Sequence, residues 1–373
     1  MIVSARTGNM KRFLTLTFAV FAGAMVLSIL EFNLLEGHGL TFLSQSAVFT
    51  SFNKTKNINI DRNSSRAAEV NSGGIPIGHY LPVSVVGKTF EMDNETFPIV
   101  QEFLKENVFK RKPVTLNPNA SFFDVVVPVS AASSNHFREL MRVVDHFPKH
   151  LPGVKLVCYD IGLSEPEIDT LKKLAHVIYR KFEFEKYPPH IKNLGNYAWK
   201  LLLMGELLSE FDGVLGIDSS IRIYGYFVHI LERMVRFHSG GLFFLKIEGG
   251  HSVAMATHPG MIEYFPMTPK EGLTENMLPG GTILLFNTED IQEHVMKWAA
   301  VCALVQDCIA PPGSKRNCPG NRFWQTPGGE KYGGCHRYDQ ALLSLLVTNL
   351  YNKARERFSS NATEALSDTG FMG

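Results

Sequence analysis

Apolar and polar positions divide the chain into three regimes. Residues 13–30 form an apolar run of 18 without a charge. Residues 31–75 are rich in Asn, Ser, Thr and Gly, the composition of a stem or linker. From Phe122 onward, short β-branched runs alternate with helically spaced apolar positions. Residues 124–130 read as a buried strand. Phe137, Leu140, Val143, Val144 and Phe147 then recur at helical spacing. Further strands are expected over 154–159, 177–184, 213–217, 241–247 and 281–286. Helices are expected over 196–211, 288–305 and 337–351, and another opens at the capping-box pattern Ser164-Glu-Pro-Glu167. Residues 96–109 predict a short helix in a mixed segment.

Strand–helix alternation predicts an α/β domain with a mainly parallel sheet flanked by helices. The expected divisions are a cytosolic tail (1–12), an anchor (13–30), a stem (31–75), a pre-domain segment (76–121), the α/β domain (122–358) and a C-terminal tail (359–373). About 240 residues suffice for a single large core.

As a helix at about 1.5 Å per residue, the first run reaches about 27 Å, close to the hydrocarbon core of a bilayer. Arg6, Lys11 and Arg12 precede it, and Glu31 and Glu36 follow. The positive-inside rule puts the N-terminus in the cytosol and the remaining chain in the lumen, as a single-pass type II membrane protein. A cleaved signal peptide is the alternative, since Ala22-Gly23-Ala24 offers a small-x-small site. Sequons at Asn53, Asn63, Asn94, Asn119 and Asn361 favour a lumenal, glycosylated chain. They flank the long block after Phe122 and leave it free.

Charge then removes one class of partner. The chain has 37 Lys plus Arg against 36 Asp plus Glu, a net charge of +1, so no footprint for nucleic acid exists. Five cysteines are too few for a disulfide-built scaffold. In an oxidising lumen, proximity favours Cys302–Cys308 and Cys318–Cys335 among the three possible pairings. Cys158, inside an expected strand, reads as a buried free thiol.

Candidate chemistry sits where apolar elements end. The strand at 213–217 runs into Asp218-Ser-Ser-Ile-Arg222. A carboxylate there can hold a divalent cation that clamps a diphosphate, or it can cap a turn. Arg222 can pair with phosphate or with Asp218. Pro279-Gly280-Gly281 lets backbone approach a ligand, or makes a tight turn. His336, Arg337, Asp339 and Gln340 crowd the start of an apolar helix, where His and Asp serve as acid–base groups or as caps. Lys200 lies in an apolar helix and needs a counter-charge: a phosphate, a carboxylate, or water reached by snorkelling.

In this order the segments resemble a GT-A type glycosyltransferase over roughly residues 122–352. The likeness is to animal membrane-anchored members with Asp-Ser-Ser-x-Arg at the metal-motif position. The resemblance implies a GT-A-like (Rossmann-like) fold, a nucleotide-sugar donor, Mn²⁺, a glycan or glycoprotein acceptor, and a Golgi or ER membrane location. By that likeness Val129, Ser130 and Ser133 line the nucleotide. Lys200 lies near the donor phosphates, and Asp218 holds the metal. Gly280 and Gly281 border the sugar or acceptor. Asp339 and Gln340 meet the donor sugar, with Asp339 or His336 as the catalytic group. One departure weakens metal binding: Ser220 replaces the second carboxylate, and a hydroxyl is the poorer Mn²⁺ ligand. A catalytically degenerate, glycan-binding protein is the alternative. A sulfotransferase is disfavoured, because the first strand exits without a Gly-Lys phosphate loop.

Overall fold

Among the described residues the six expected strands form as β1 (Val126–Ala132), β2 (Leu156–Asp160), β3 (Val177–Lys181), β4 (Gly213–Ile217), β5 (Leu242–Lys246) and β6 (Thr282–Phe286), and an unexpected one follows, β7 (Ser359–Asn361). The structure is a computed structural model that describes residues 88, 90–116, 122–223, 241–246, 251–265, 267, 277–318, 334–350 and 359–361. All lie in one compact unit, Ser65–Gly373. The apolar run 13–30, the stem, and the sequons at Asn53, Asn63 and Asn119 fall outside the described residues. Among the described residues no helix is long and apolar enough to cross a membrane.

The strands form one mixed sheet in the order β3-β2-β1-β4-β6-β5-β7. β1 pairs in parallel with β2 and β4, and β2 with β3. β5 and β7 are also parallel. The departure from the expected pattern is β6, antiparallel to both β4 and β5. β2, β4 and β6 are buried at every residue and β1 at all but one, as suits strands covered on both faces. β3 is only half-buried.

Among the described residues, six α-helices of eight residues or more accompany the sheet: α1 (Thr96–Phe103), α2 (Phe137–His150), α3 (Glu165–Lys172), α4 (Ala198–Leu208), α5 (Lys297–Leu304) and α6 (Tyr338–Leu350). Alternation along the strands sorts their side chains into two cores. Val127, Val129, Val157 and Val214 face α1, α4, α5 and α6. Val126, Leu156, Cys158 and Leu215 face α2 and α3. The Ser164–Glu167 capping box forms at the start of α3. Both proximal disulfides are present, and Cys158 is free and buried. Burial pushes its thiol up to about 12.

Two expected boundaries shift. Phe90, Val100, Phe103, Leu104 and Val108 belong to the same core as α4 and α5, and Phe90 stacks on Tyr264 at 4.6 Å. Described residues 90–108 therefore pack into the same core as the α/β elements, although the sequence set them apart as a pre-domain segment. At the other end, β7 adds to the sheet beyond residue 358 through backbone pairing with β5. Asn94 is exposed, as a glycan acceptor requires.

Candidate functional site

Strand order decides where the site lies. From β1 the chain goes to β2 and β3 on one side, then returns to β4 on the other. Ligands in open α/β sheets bind outside the carboxyl ends of strands at such a switch point. Here those ends are Ser130 to Ala132 on β1 and Asp218 just past β4. Reversal of β6 adds a third element. Its register sets Ile217 opposite Thr282, so the preceding Gly280-Gly281 lies at the same edge. The Asp218 backbone N–H donates to the Gly281 carbonyl at 2.8 Å.

Lys200 is the hub. α4 is buried on all sides except at Glu206, so its lysine can find charge only among neighbouring elements. Nζ donates to Asp218 Oδ1 at 2.5 Å and to the Gly280 carbonyl at 2.6 Å. Asp339 Oδ2 lies 3.5 Å away. Burial opposes the ammonium most strongly, but Asp218 and then Asp339 outweigh it, and the Lys200 pKa is raised. The counter-charge that the sequence demanded is thus a pair of carboxylates. The two differ in access: the Asp218 side chain is 41% exposed and that of Asp339 5%. Asp218 is the carboxylate open to solvent. Asp339 holds Lys200 from behind.

The glycines are required by space. A Cβ on Gly280 would stand 2.6 Å from Gln340 Cγ, and one on Gly281 would stand 2.8 Å from Ile221 Cδ1. Gln340 in turn donates to the Leu278 carbonyl at 3.3 Å and accepts from Arg337 Nε at 2.8 Å. The start of α6 and the Gly280 turn are therefore tied together around Lys200. Helices α4 and α6 are each entered through a tyrosine with left-handed backbone, Tyr197 (φ 55°) and Tyr338 (φ 40°). Such strain persists only where the surroundings enforce it.

Val129 and Ser130 line a small cleft of about 20 Å³ together with Lys200 and Asp218. Trp199, which precedes Lys200 in the Tyr-x-Trp-Lys segment, and Met204 also line it. Ser130 Oγ is buried without a hydrogen-bond partner, on the face of β1 that carries Val126 and Ala132, away from Lys200. Ser133 lies beyond the strand and donates to Asn135 Oδ1 at 2.6 Å. Ser220 and Arg222 are exposed in the turn after Asp218.

His336 differs from the acid–base group the sequence suggested. It is buried, with Nε2 3.0 Å from the Ile309 carbonyl and Nδ1 accepting from the His258 N–H at 3.1 Å. Those partners require the neutral ring protonated at Nε2. Burial drives its pKa down to about 4. With both nitrogens on backbone, His336 ties the 309 and 258 segments to the start of α6.

The Mn²⁺ that the family resemblance implies finds a poor donor set. An ammonium already lies between the two carboxylates, and the motif's second carboxylate is Ser220. Among the described residues no three His, Cys, Asp or Glu side chains group to hold a metal.

A larger groove, about 770 Å³, opens beside β3 and the end of α4. Glu206 in it accepts from the hydroxyls of Tyr187 at 2.5 Å and Tyr159 at 3.0 Å, and Arg180 pairs with Glu210. Its central polar groups are satisfied within the protein.

The model of a family described as "Protein of unknown function (DUF1647)" matches residues 82–205. No curated protein matches the chain significantly. Similar solved structures include an active-site mutant of LgtC, at 16% identity over 43% of this chain and 57% of that one, TM-score 0.28. The galactosyltransferase LgtC with donor and acceptor sugar analogues matches at 16% identity over 56% of this chain and 72% of that one, TM-score 0.31. The mannosyltransferase Ktr4p from S. cerevisiae matches at 11% identity over 59% and 75%, TM-score 0.32. The first match spans little more than half of its counterpart's length.

Proposed function

We propose that this protein transfers a sugar from a nucleotide-sugar donor to a hydroxyl of a glycan or glycoprotein, in the Golgi or ER lumen, anchored by residues 13–30. One observation carries the reading. Lys200 and Asp218 meet beside the carboxyl ends of β1 and β4, where α/β sheets receive nucleotides. Val129 and Ser130 take the nucleoside. Lys200 and Arg222 face the diphosphate. Gly280 and Gly281 leave room for the sugar. Asp339 positions Lys200, and Gln340 and His336 position the elements around it.

In the transfer, the anomeric carbon–oxygen bond to the diphosphate breaks, and its electron pair leaves on the diphosphate oxygen. The acceptor oxygen bonds the anomeric carbon and gives its proton to Asp218, the carboxylate open to solvent. Preorganised positive charge at the leaving oxygen lowers the barrier.

Asp218→Asn is expected to lower transfer by roughly 100-fold or more while leaving the circular dichroism unchanged. The measurement is sugar transfer from a panel of nucleotide sugars to arrayed glycans. Turnover in Asp218→Asn equal to wild type, or no turnover by folded wild type with any donor, overturns the assignment.

A specific observation favours a second reading, glycan binding without transfer. The three N–H groups of Lys200 already face protein acceptors. That reading predicts glycan binding by a protein that binds no nucleotide.

A further inference from the structure

The environment of Lys200 Nζ has the form of a cation site. Its neighbours are oxygens from three elements: Asp218 Oδ1 at 2.5 Å, the Gly280 carbonyl at 2.6 Å and Asp339 Oδ2 at 3.5 Å. Two of the three are carboxylates, the ligands that hard divalent ions prefer. A divalent ion bridging Asp218 and Asp339 would have to stand where the ammonium already is. The lysine has little freedom to leave, since its side chain is 8% exposed on a helix packed on all sides. An ion held outside this cage would have one carboxylate, Asp218, with Ser220 exposed beside it. That donor set falls short of the site that the resemblance implies.

We propose that Lys200 is the resident cation of this site: its ammonium takes the place of Mn²⁺ and supplies the positive charge against which a nucleoside diphosphate binds and departs. The inference rests on the transferase reading for its ligand, but the occupancy of the cage by the ammonium is independent of it. An ammonium suits the role because it is a compact point charge. Asp339 is a positioning residue: it keeps the ammonium charged and aimed.

Two titrations of the full chain, read by melting midpoint and calorimetry, test the proposal. In the first, uridine, guanosine and cytidine diphosphates are added in EDTA and again in millimolar Mn²⁺. One of them is expected to bind with the same affinity in both, and Lys200→Met is expected to weaken it roughly tenfold or more, the loss of a charge-assisted contact. Binding that appears only with Mn²⁺ overturns the proposal and leaves the transferase reading standing. In the second, Mn²⁺ is added without nucleotide. Wild type is expected to show no rise in midpoint. Lys200→Met, which leaves two carboxylates facing an empty cage, is expected to be destabilised and then rescued by Mn²⁺. Should that variant not fold, the wild-type titrations decide alone: tight Mn²⁺ binding by wild type overturns the proposal whatever the nucleotides do. Absence of any nucleotide binding, with no Mn²⁺ binding either, refutes the charge role and the transferase reading and leaves Lys200 a structural ion-pair partner.

Discussion

At the scale of single residues, His336 carries a pH dependence of stability. Its folded pKa is about 4, lowered chiefly by burial, while the unfolded chain titrates near 6.5. The unfolded state therefore binds more protons between those values, and stability falls as pH drops through that window. Between pH 7 and pH 5 the loss is about 2 kcal/mol from this group alone. Urea midpoints at the two pH values check it. His336→Phe is expected to be less stable at pH 7 and to lack that part of the decline. A variant that declines as steeply as wild type would assign the dependence elsewhere. His336 also marks a limit of legibility. Its position before an apolar helix suggested chemistry, whereas the backbone groups of Ile309 and His258 that occupy its ring come from segments no local pattern brings near.

At the scale of elements, the close approach of α1 and α4 depends on Gly205. A Cβ there would stand 2.9 Å from Phe103 Cζ. Alanine gains about 1 kcal/mol in helix propensity over glycine, but overpacking costs about 1–3 kcal/mol. Gly205→Ala is expected to lower stability by about 1 kcal/mol, visible in thermal melting. Phe103→Leu in the same chain is expected to recover part of it, because the colliding ring is removed. A Gly205→Ala chain more stable than wild type would mean that α1 can move away freely. The same contact shows why residues 96–109 looked detached in the sequence. A short amphipathic helix reveals that it has a buried face, not which surface buries it. Lys200 is parallel: its helix announced a need for counter-charge, and only packing chose carboxylates over phosphate or water.

At the scale of the whole molecule, two disulfides brace the region after β6. Cys318–Cys335 closes a loop with a sequence separation of 17 and ends one residue before His336. Loop-closure entropy for that length gives about 3 kcal/mol. Reduction, or replacement of both cysteines by serine, is expected to lower the melting midpoint by several degrees. An unchanged midpoint would show that α6 is held by its core contacts alone. Buried Cys158, its thiol pushed up to about 12, is expected to stay unmodified by thiol reagents in the folded protein.

What the sequence by itself determined was local. Strand cores, helix spans, the Ser164–Glu167 box and the near cysteine pairs all depend on neighbours within a few turns or a short loop. The four chemical segments were legible for the same reason, as polar groups interrupting apolar runs. Tertiary structure alone decided how they meet. Reversal of β6 carries Gly280 to Asp218; a parallel β6 would have left that turn at the opposite edge of the sheet. The contact between Lys200 and the Gly280 carbonyl spans 80 residues, and no periodicity reports a partner at that distance. Which strand runs backward, and which carboxylate neutralises a buried lysine, are settled by how separate elements cover one another's apolar faces.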